Sequence, residues 1–142
     1  MTPTSRASST PARPTAPPRA AYAPSWPPET FIVPLLARRI DELITQCARG
    51  AAPESRALDV GCGRQPFRAK LESLGYSYHS VDVAQNPEGT VEFIAPIDGV
   101  LPATLELAAG FDFILCTEVL EHVADWPTAF RNLARLLAPG GT

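Results

Sequence analysis

Residues 57–67 read Ala-Leu-Asp-Val-Gly-Cys-Gly-Arg-Gln-Pro-Phe, and this stretch decides the fold that we predict. The apolar run before Gly61 predicts a short buried strand. The glycines at 61 and 63 predict a sharp turn that lets a ligand approach bare backbone. Pro66 suits the first turn of a following helix, whose N-terminal N–H groups are free to bind a ligand. The stretch therefore predicts a strand, a glycine turn and a helix that together form a ligand site.

The charge next to this turn indicates which kind of ligand it suits. Asp59 lies two residues before the first glycine, and Pro66 occupies the position of the third glycine of a nicotinamide-type fingerprint. A carboxylate this close would repel a pyrophosphate, whereas it would attract a ligand that carries positive charge. A Gly-x-Gly pair is also common in turns without any ligand, and that alternative stays open at this point.

Three further segments carry a family resemblance together with the turn. An acidic residue followed by Gly-x-Gly, as Asp59, Gly61 and Gly63 stand here, resembles the first motif of class I S-adenosylmethionine-dependent methyltransferases. The matching segments are Pro-Phe-Arg at 66–68, Phe-Asp-Phe-Ile-Leu-Cys at 111–116 with Leu-Glu-His at 120–122, and Leu-Ala-Pro-Gly-Gly at 137–141. S-adenosylmethionine has a sulfonium, an ammonium and one carboxylate but no phosphate, which fits an acid-flanked glycine turn. The resemblance covers about residues 34–142.

The resemblance implies an α/β fold with a Rossmann-like, doubly wound parallel sheet. The family's sheet usually has seven strands, and this sequence supplies the first four, so we expect a sheet truncated after strand four and its helix. We therefore expect the chain to be a fragment or an incomplete gene product. Strand four would then be an exposed apolar edge, and such edges promote self-association.

Apolar periodicity and turn residues predict the individual elements. We expect a first helix from Pro34, in its first turn, to Arg49, capped by Gly50. The apolar stripe on its buried face is expected to consist of Leu36, Ile40, Leu43, Ile44 and Cys47. Asp125 is the expected N-cap of the last helix. The remaining predicted elements are helices at 66–74 and 101–109 and strands at 76–82, 91–95 and 111–116.

Asp82 is the second acidic candidate for the ligand site. It ends the second predicted strand about 20 residues after the glycine turn, where a carboxylate can accept hydrogen bonds from ribose hydroxyls. A helix cap or turn former is the alternative. The resemblance implies the ribose role for Asp82, a position near the methionine ammonium for Asp59, and admission of the cofactor by Gly61 and Gly63.

The resemblance assigns the remaining site residues less directly. In many relatives an acid after strand three meets the adenine amine. Here Ile97 takes that position and Asp98 follows it, so either Asp98 serves or only backbone contacts the base. The end of strand four, Cys116 and Thr117, would hold the methionine part. His122 is a candidate general base, with local packing as the alternative.

Composition limits the other functions that we consider. The net charge of the chain is −3. Residues 1–28 contain three arginines, eight prolines and no acidic residue. The other nine basic residues and all fifteen acidic residues therefore lie in residues 29–142. We interpret 1–28 as a disordered Pro/Ala/Ser-rich tail and 29–142 as an incomplete methyltransferase domain. The acidic composition of this domain is unfavourable for binding nucleic acid.

The three cysteines occur without Cys-x-x-Cys spacing and predict neither a disulfide framework nor a metal site. No apolar run reaches the roughly 18 residues that a membrane helix needs, and the first residues lack a secretory leader. These features predict a cytoplasmic protein without a membrane partner.

Three functions follow from these patterns. We favour methyl transfer from S-adenosylmethionine to an unidentified small-molecule acceptor, because such chemistry needs placement of the acceptor more than a protein nucleophile. The alternative is a truncated, non-catalytic module that binds the cofactor or a partner. A nicotinamide-dependent enzyme is disfavoured by the absent third glycine and by Asp59.

Overall fold

The computed structural model describes residue 27, residues 29–48 and residues 51–142. The predicted tail lies outside these residues except for Pro27, and so does the predicted cap, Gly50. The described part forms one parallel sheet of four strands in the order β3-β2-β1-β4. The elements are α1 (Glu29–Cys47), β1 (Arg56–Val60), α2 (Arg68–Ser73), β2 (Ser77–Asp82), β3 (Phe93–Ile94), α3 (Ala103–Leu107), β4 (Phe113–Cys116) and α4 (Trp126–Leu136).

Both faces of the sheet are covered, because the side chains of β1 alternate between two apolar clusters. Leu58 and Val60 pack in one cluster, whose other members come largely from β2, β3, α3 and α4. Ala57 packs in the other, whose members include Ile44 of α1 and Leu71 of α2. The structure therefore confirms the predicted α/β, doubly wound parallel sheet, with β1 at its centre.

Helix α1 differs from the sequence prediction at both its start and its buried face. It begins at Glu29, so Pro34 lies inside the helix and not in its first turn. The helix begins earlier because the loss of one backbone N–H at Pro34 does not stop the turns that precede it. Of the predicted stripe, Ile40 and Ile44 are buried, whereas Leu43 is 40% exposed.

The other elements are shorter than predicted but follow the predicted order. Helix α2 begins at Arg68 with Phe67 as its N-cap, so Pro66 belongs to the turn before the helix. Strand β3 is reduced to two residues. Asp125 caps α4 as expected, and its carboxylate accepts from the Thr128 N–H at 3.0 Å.

The outer edge of β4 is partly covered by the last residues of the chain. The Ile114 N–H donates to the Thr142 carbonyl at 2.8 Å, and the Thr142 N–H donates to the Asp112 carbonyl at 3.0 Å. The Ala138 N–H donates to the Phe111 carbonyl at 2.8 Å. The prediction that the edge of strand four is bare is therefore wrong for the residues up to Ile114. Their backbone is paired because the Pro-Gly-Gly turn brings the chain back beside the strand.

Candidate functional site

The carboxyl ends of the strands bring the predicted site residues to one edge of the sheet. In the parallel register Val60 pairs with Val81 on one side and with Cys116 on the other. The chain leaves β1 toward β2 and later returns to its other side as β4. Ligands of open parallel sheets bind at such a reversal of strand order, outside the carboxyl ends.

The glycine turn follows β1 at this reversal point. Gly61 has a φ of 68° and Gly63 a φ of 49°, the left-handed region that favours glycine. The Gly61 N–H donates to the Val81 carbonyl at 2.8 Å, which ties the turn to the end of β2. A Cβ atom on Gly61 would lie 2.3 Å from Cγ2 of Val119, so the segment after β4 packs directly on this glycine. The sequence analysis missed Val119, which carries no local signal.

Asp82 holds the turn from the neighbouring strand. Its Oδ2 accepts from the Gly63 N–H at 2.9 Å, and its Oδ1 lies 3.4 Å from the Ala84 nitrogen. The carboxylate is half-buried and borders a small pocket of about 50 Å³. The pocket is lined by Gly63, Arg64, Asp82, Ala84, Gln85, Asn86 and Pro87. A carboxylate at this point has acceptor capacity left for ribose hydroxyls.

Two buried amide side chains fix the same turn, and the sequence analysis did not identify either of them. Asn86 donates through Nδ2 to the Gly63 carbonyl at 3.0 Å and to Oγ1 of Thr90 at 2.8 Å. Gln65 donates through Nε2 to Oγ of Ser80 at 3.1 Å and to the Thr90 carbonyl at 2.8 Å. Asp82 and Asn86 thus engage both the N–H and the carbonyl of Gly63, so the turn is held rigidly before any ligand arrives.

Asp59 lies beneath the turn and not on its surface. Its side chain is 3% exposed, and Tyr78 Oη donates to its Oδ2 at 2.8 Å. Burial raises the pKa of Asp59 to about 7, the hydrogen bond from Tyr78 lowers it, and the charge of Asp82 raises it further. The carboxyl group is therefore only partly ionised near neutral pH, and the charge that it then carries acts in surroundings of low polarity.

The two cysteines nearest to Asp59 are poor nucleophiles. Burial, followed by the charges of Asp59 and Asp82, raises the pKa of Cys62 to about 12. Burial and the charge of Asp59 raise the pKa of Cys116 to about 11. Both thiols are therefore neutral near pH 7, which leaves them as packing residues.

The remaining predicted site residues are not all brought to the turn. Cys116 ends β4 beside Val60 and Thr117 follows it, so both lie at the carboxyl edge. Asp98 instead accepts from the N–H groups of Ala124 at 3.1 Å and Asp125 at 3.3 Å. This ties Asp98 to the segment before α4. His122 is exposed in a single 3₁₀ turn, and its Nε2 lies 3.9 Å from Oε1 of Glu121.

Unusual backbone and an exposed apolar side chain occur at this edge. Gln65 and Glu118 adopt φ values of 59° and 56°, a region that non-glycine residues rarely occupy, and Glu54 before β1 does so too with a φ of 71°. Val83 follows Asp82 directly and is 65% exposed. Its signal in the sequence is an apolar residue immediately after the acid that ends a strand.

The described residues offer neither a metal cluster nor a membrane-spanning helix. Within residues 29–48 and 51–142, no group of three or more His, Cys, Asp or Glu side chains is arranged to hold a metal ion. None of the helices in this part of the chain is long and apolar enough to cross a bilayer.

Sequence comparisons identify related proteins. A family model described as a methyltransferase domain matches residues 34–142. A ubiquinone biosynthesis O-methyltransferase of Xanthomonas campestris pv. campestris (strain B100) is 35% identical over 104 residues, which cover 67% of this chain and 44% of that protein. The protein of the same name from Caulobacter sp. (strain K31) is 40% identical over 95 residues, covering 61% of this chain and 38% of the relative. The chain therefore spans less than half the length of these curated relatives.

Two solved structures are similar in fold. A TehB-like SAM-dependent methyltransferase from Corynebacterium glutamicum matches with a TM-score of 0.53 at 20% identity, covering 74% of this chain and 57% of that one. A 1,6-didemethyltoxoflavin-N1-methyltransferase from Burkholderia thailandensis, solved with its substrate and S-adenosylhomocysteine, matches with a TM-score of 0.50 at 21% identity. That match covers 84% of this chain and 63% of the other. At these identities the two structures support the fold alone.

Proposed function

The chain belongs to the methyltransferase-domain family, and from that premise we propose that its carboxyl-edge site binds S-adenosylmethionine for methyl transfer to a small-molecule acceptor. One observation carries this proposal: the Asp82 carboxylate accepts a hydrogen bond from the Gly63 N–H at 2.9 Å. A carboxylate and an open glycine turn therefore lie next to each other at the carboxyl ends of the strands. This arrangement suits a nucleoside whose ribose hydroxyls need acceptors and whose other end carries positive charge.

Each part of the site has a role in this proposal. Asp82 accepts from the ribose hydroxyls, and the exposed Val83 next to it offers an apolar contact to the adenine. Gly61 and Gly63 let the cofactor approach the backbone. Asp59 supplies buried negative charge near the methionine ammonium, while the β4 end at Cys116 and Thr117 borders the methionine part. Asp98 is already bonded to backbone near α4, so we favour backbone contacts to the adenine over Asp98.

The chemistry requires little of the protein beyond placement. When bound, S-adenosylmethionine supplies a methyl group on a sulfonium, a reactive electrophile. The chain's residues hold that group in one orientation, and alignment of an acceptor with it provides most of the rate enhancement. The neutral thiols of Cys62 and Cys116 do not compete as nucleophiles near pH 7. His122, which lies in the 3₁₀ turn after β4, is the candidate base for the acceptor's proton.

The proposed acceptor is an oxygen of a small molecule. The curated relatives in the comparison are named as O-methyltransferases of ubiquinone biosynthesis, and they support an acceptor of that class. A cytoplasmic location and self-association through the uncovered end of β4 beyond Ile114 also belong to this proposal. Sedimentation velocity at rising protein concentration measures the self-association.

The test of the proposed function is cofactor binding by the whole chain. Equilibrium dialysis with labelled S-adenosylmethionine should give saturable binding, and Asp82→Ala should weaken it at least tenfold because a charge-assisted ribose contact is lost. Asp41→Ala is the control, since Asp41 pairs with Lys70 on the helical face. Absence of saturable binding, or tighter binding of a nicotinamide dinucleotide, would overturn the proposal. Binding without transfer to any phenol or catechol would favour the non-catalytic module.

A further inference from the structure

The hydrogen bond between Tyr78 and Asp59 is the feature of the site that the proposed function leaves unexplained. Asp59 pairs in register with Ser80, and Tyr78 stands two residues before Ser80 on the same face of the sheet. Tyr78 Oη donates to Oδ2 of Asp59 at 2.8 Å, and the carboxyl group is 3% exposed. Burial and the charge of Asp59 raise the pKa of Tyr78 far above neutrality, so its hydroxyl stays a donor.

The surroundings of Asp59 otherwise disfavour its charge. Asp82, at the end of β2, adds a second negative charge. Cys62 after β1 and Cys116 on β4 are neutral thiols near pH 7. Arg68 of α2 lies over the ring of Tyr78, with its guanidinium carbon 5.3 Å from the ring centre. The hydroxyl of Tyr78 therefore opposes both burial and repulsion at Asp59.

We propose that Tyr78 is a positioning residue for cofactor binding, because its hydroxyl holds Asp59 in place and favours the charged form of Asp59 beneath the glycine turn. This inference rests on the proposed function, in which the cationic end of S-adenosylmethionine lies near that charge. A cation attracted to Asp59 binds its ionised form, so binding strengthens as the pH rises through the Asp59 titration.

Removal of the hydroxyl has a defined consequence. Tyr78→Phe keeps the ring and deletes the donor, so the carboxylate loses the interaction that favours its charged form. A hydrogen bond to a charged group is strong enough to move the titration midpoint of Asp59 upward by about one pH unit or more. At neutral pH the variant should then bind the cofactor up to about tenfold more weakly, and the difference should shrink toward pH 9.

The experiment measures S-adenosylmethionine affinity calorimetrically from pH 5.5 to pH 9 for the full chain and three variants. The variants are Tyr78→Phe, Asp59→Asn and, as a matched control, Tyr76→Phe. Tyr76 packs its ring on Phe113 and has its pKa raised by burial and by Asp112, not by Asp59. The α-amine of the ligand titrates near pH 8 with every variant, so differences between the curves isolate Asp59.

Carbon NMR of the Asp59 carboxyl group provides a readout that needs no ligand. We expect the Asp59 midpoint to rise in Tyr78→Phe and to stay unchanged in Tyr76→Phe, with the affinity curve of Tyr78→Phe displaced by the same amount. Asp59→Asn should remove the part of the pH dependence of the affinity that comes from the ionisation of Asp59. An unchanged carboxyl titration in a folded Tyr78→Phe overturns the inference. A wild-type chain that binds no S-adenosylmethionine, with the carboxyl shift present, overturns the proposed function instead.

Discussion

The two ends of the central strand β1 are built in opposite ways. At its amino end, the Arg56 N–H donates to Asp112 at 2.8 Å, and the Arg56 guanidinium donates to the carbonyls of Ala108, Ala109 and Gly110 at 3.0–3.1 Å. The same guanidinium lies 5.2 Å from the centre of the Phe111 ring. At its carboxyl end, Asp59 is buried next to the glycine turn, with the negative charge of Asp82 nearby.

The difference shows which end stabilises the fold and which end is reserved for a ligand. The amino end balances its charge within the chain and joins β1 to the segment before β4. The carboxyl end retains excess negative charge, which a protein keeps only where the surrounding structure enforces it. Substitutions at the amino end should therefore change stability alone, and those at the carboxyl end should change affinity as well.

The largest expected effect comes from Gly61→Ala at the carboxyl end. The added Cβ meets Val119 Cγ2 at 2.3 Å and the φ is 68°, so overpacking and strain together should destabilise the fold by about 3–5 kcal/mol and abolish cofactor binding. Gly89→Ala is the matched control, with a φ of 69° and nothing within 4 Å of the added Cβ. Urea unfolding measures both. Equal losses in the two variants would show that the close contact with Val119 is unimportant.

Asp59→Asn should change how stability depends on pH. The pKa is raised from 3.8 to about 7, so the folded state keeps a proton that the unfolded chain has released between these values. Stability therefore falls as the pH rises through this window, and the fall is complete above it. Asparagine removes the ionisation, so the variant should be more stable than wild type by about 2–4 kcal/mol at pH 8 and similar at pH 4.

Unfolding curves at pH 4 and pH 8 measure the effect of Asp59→Asn. Asp41→Asn removes an exposed carboxylate that pairs with Lys70 and should change stability by less than about 0.5 kcal/mol at either pH. If the gain in stability of Asp59→Asn over wild type were no larger at pH 8 than at pH 4, the result would contradict the presence of a buried, titrating carboxyl group at position 59.

Arg56→Met tests the amino end. Its loss leaves the carbonyls of residues 108–110 without their donor, which should destabilise the fold by about 2–3 kcal/mol. Affinity for S-adenosylmethionine in the folded fraction should not change. Arg38→Met, which removes only an exposed pair with Glu42, is the control for loss of an arginine. Reduced affinity in Arg56→Met would mean that the two ends of β1 are coupled.

Of the variants expected to change affinity, Asn86→Ala should have the smallest effect, together with a loss of stability because Asn86 also donates to Thr90 Oγ1 and accepts from the Thr90 N–H. Without its bond to the Gly63 carbonyl the turn becomes mobile, and we expect a loss of about 1 kcal/mol in cofactor binding, roughly fivefold in Kd. Asn132→Ala offers the contrast, because this buried amide also donates to two carbonyls, those of Ile97 and Gly99. A comparable loss of affinity there would indicate that the segment around Asp98 contacts the cofactor.

Features that follow from local sequence were predicted correctly. The order of the elements, the position of the glycine turn and the Asp125 cap each rest on residues within a few positions of one another. The two errors have different causes. Pro34 reads as a helix start, yet mostly exposed residues before it extend the helix back to Glu29. The predicted bare edge of β4 is partly covered by Thr142, which is a tertiary contact that no local signal shows.

Local patterns in the sequence located the helices, the strands and the acid-flanked glycine turn, because apolar periodicity and glycine conformation are properties of short segments. The parallel sheet was implied by the family resemblance. How the turn is held depends on contacts between residues that are far apart in the sequence. Tyr78 meets Asp59 across 19 residues, and Asn86 meets the Gly63 carbonyl across 23. The pKa of Asp59 likewise depends on what covers it, and strand pairing creates that cover by bringing distant residues together.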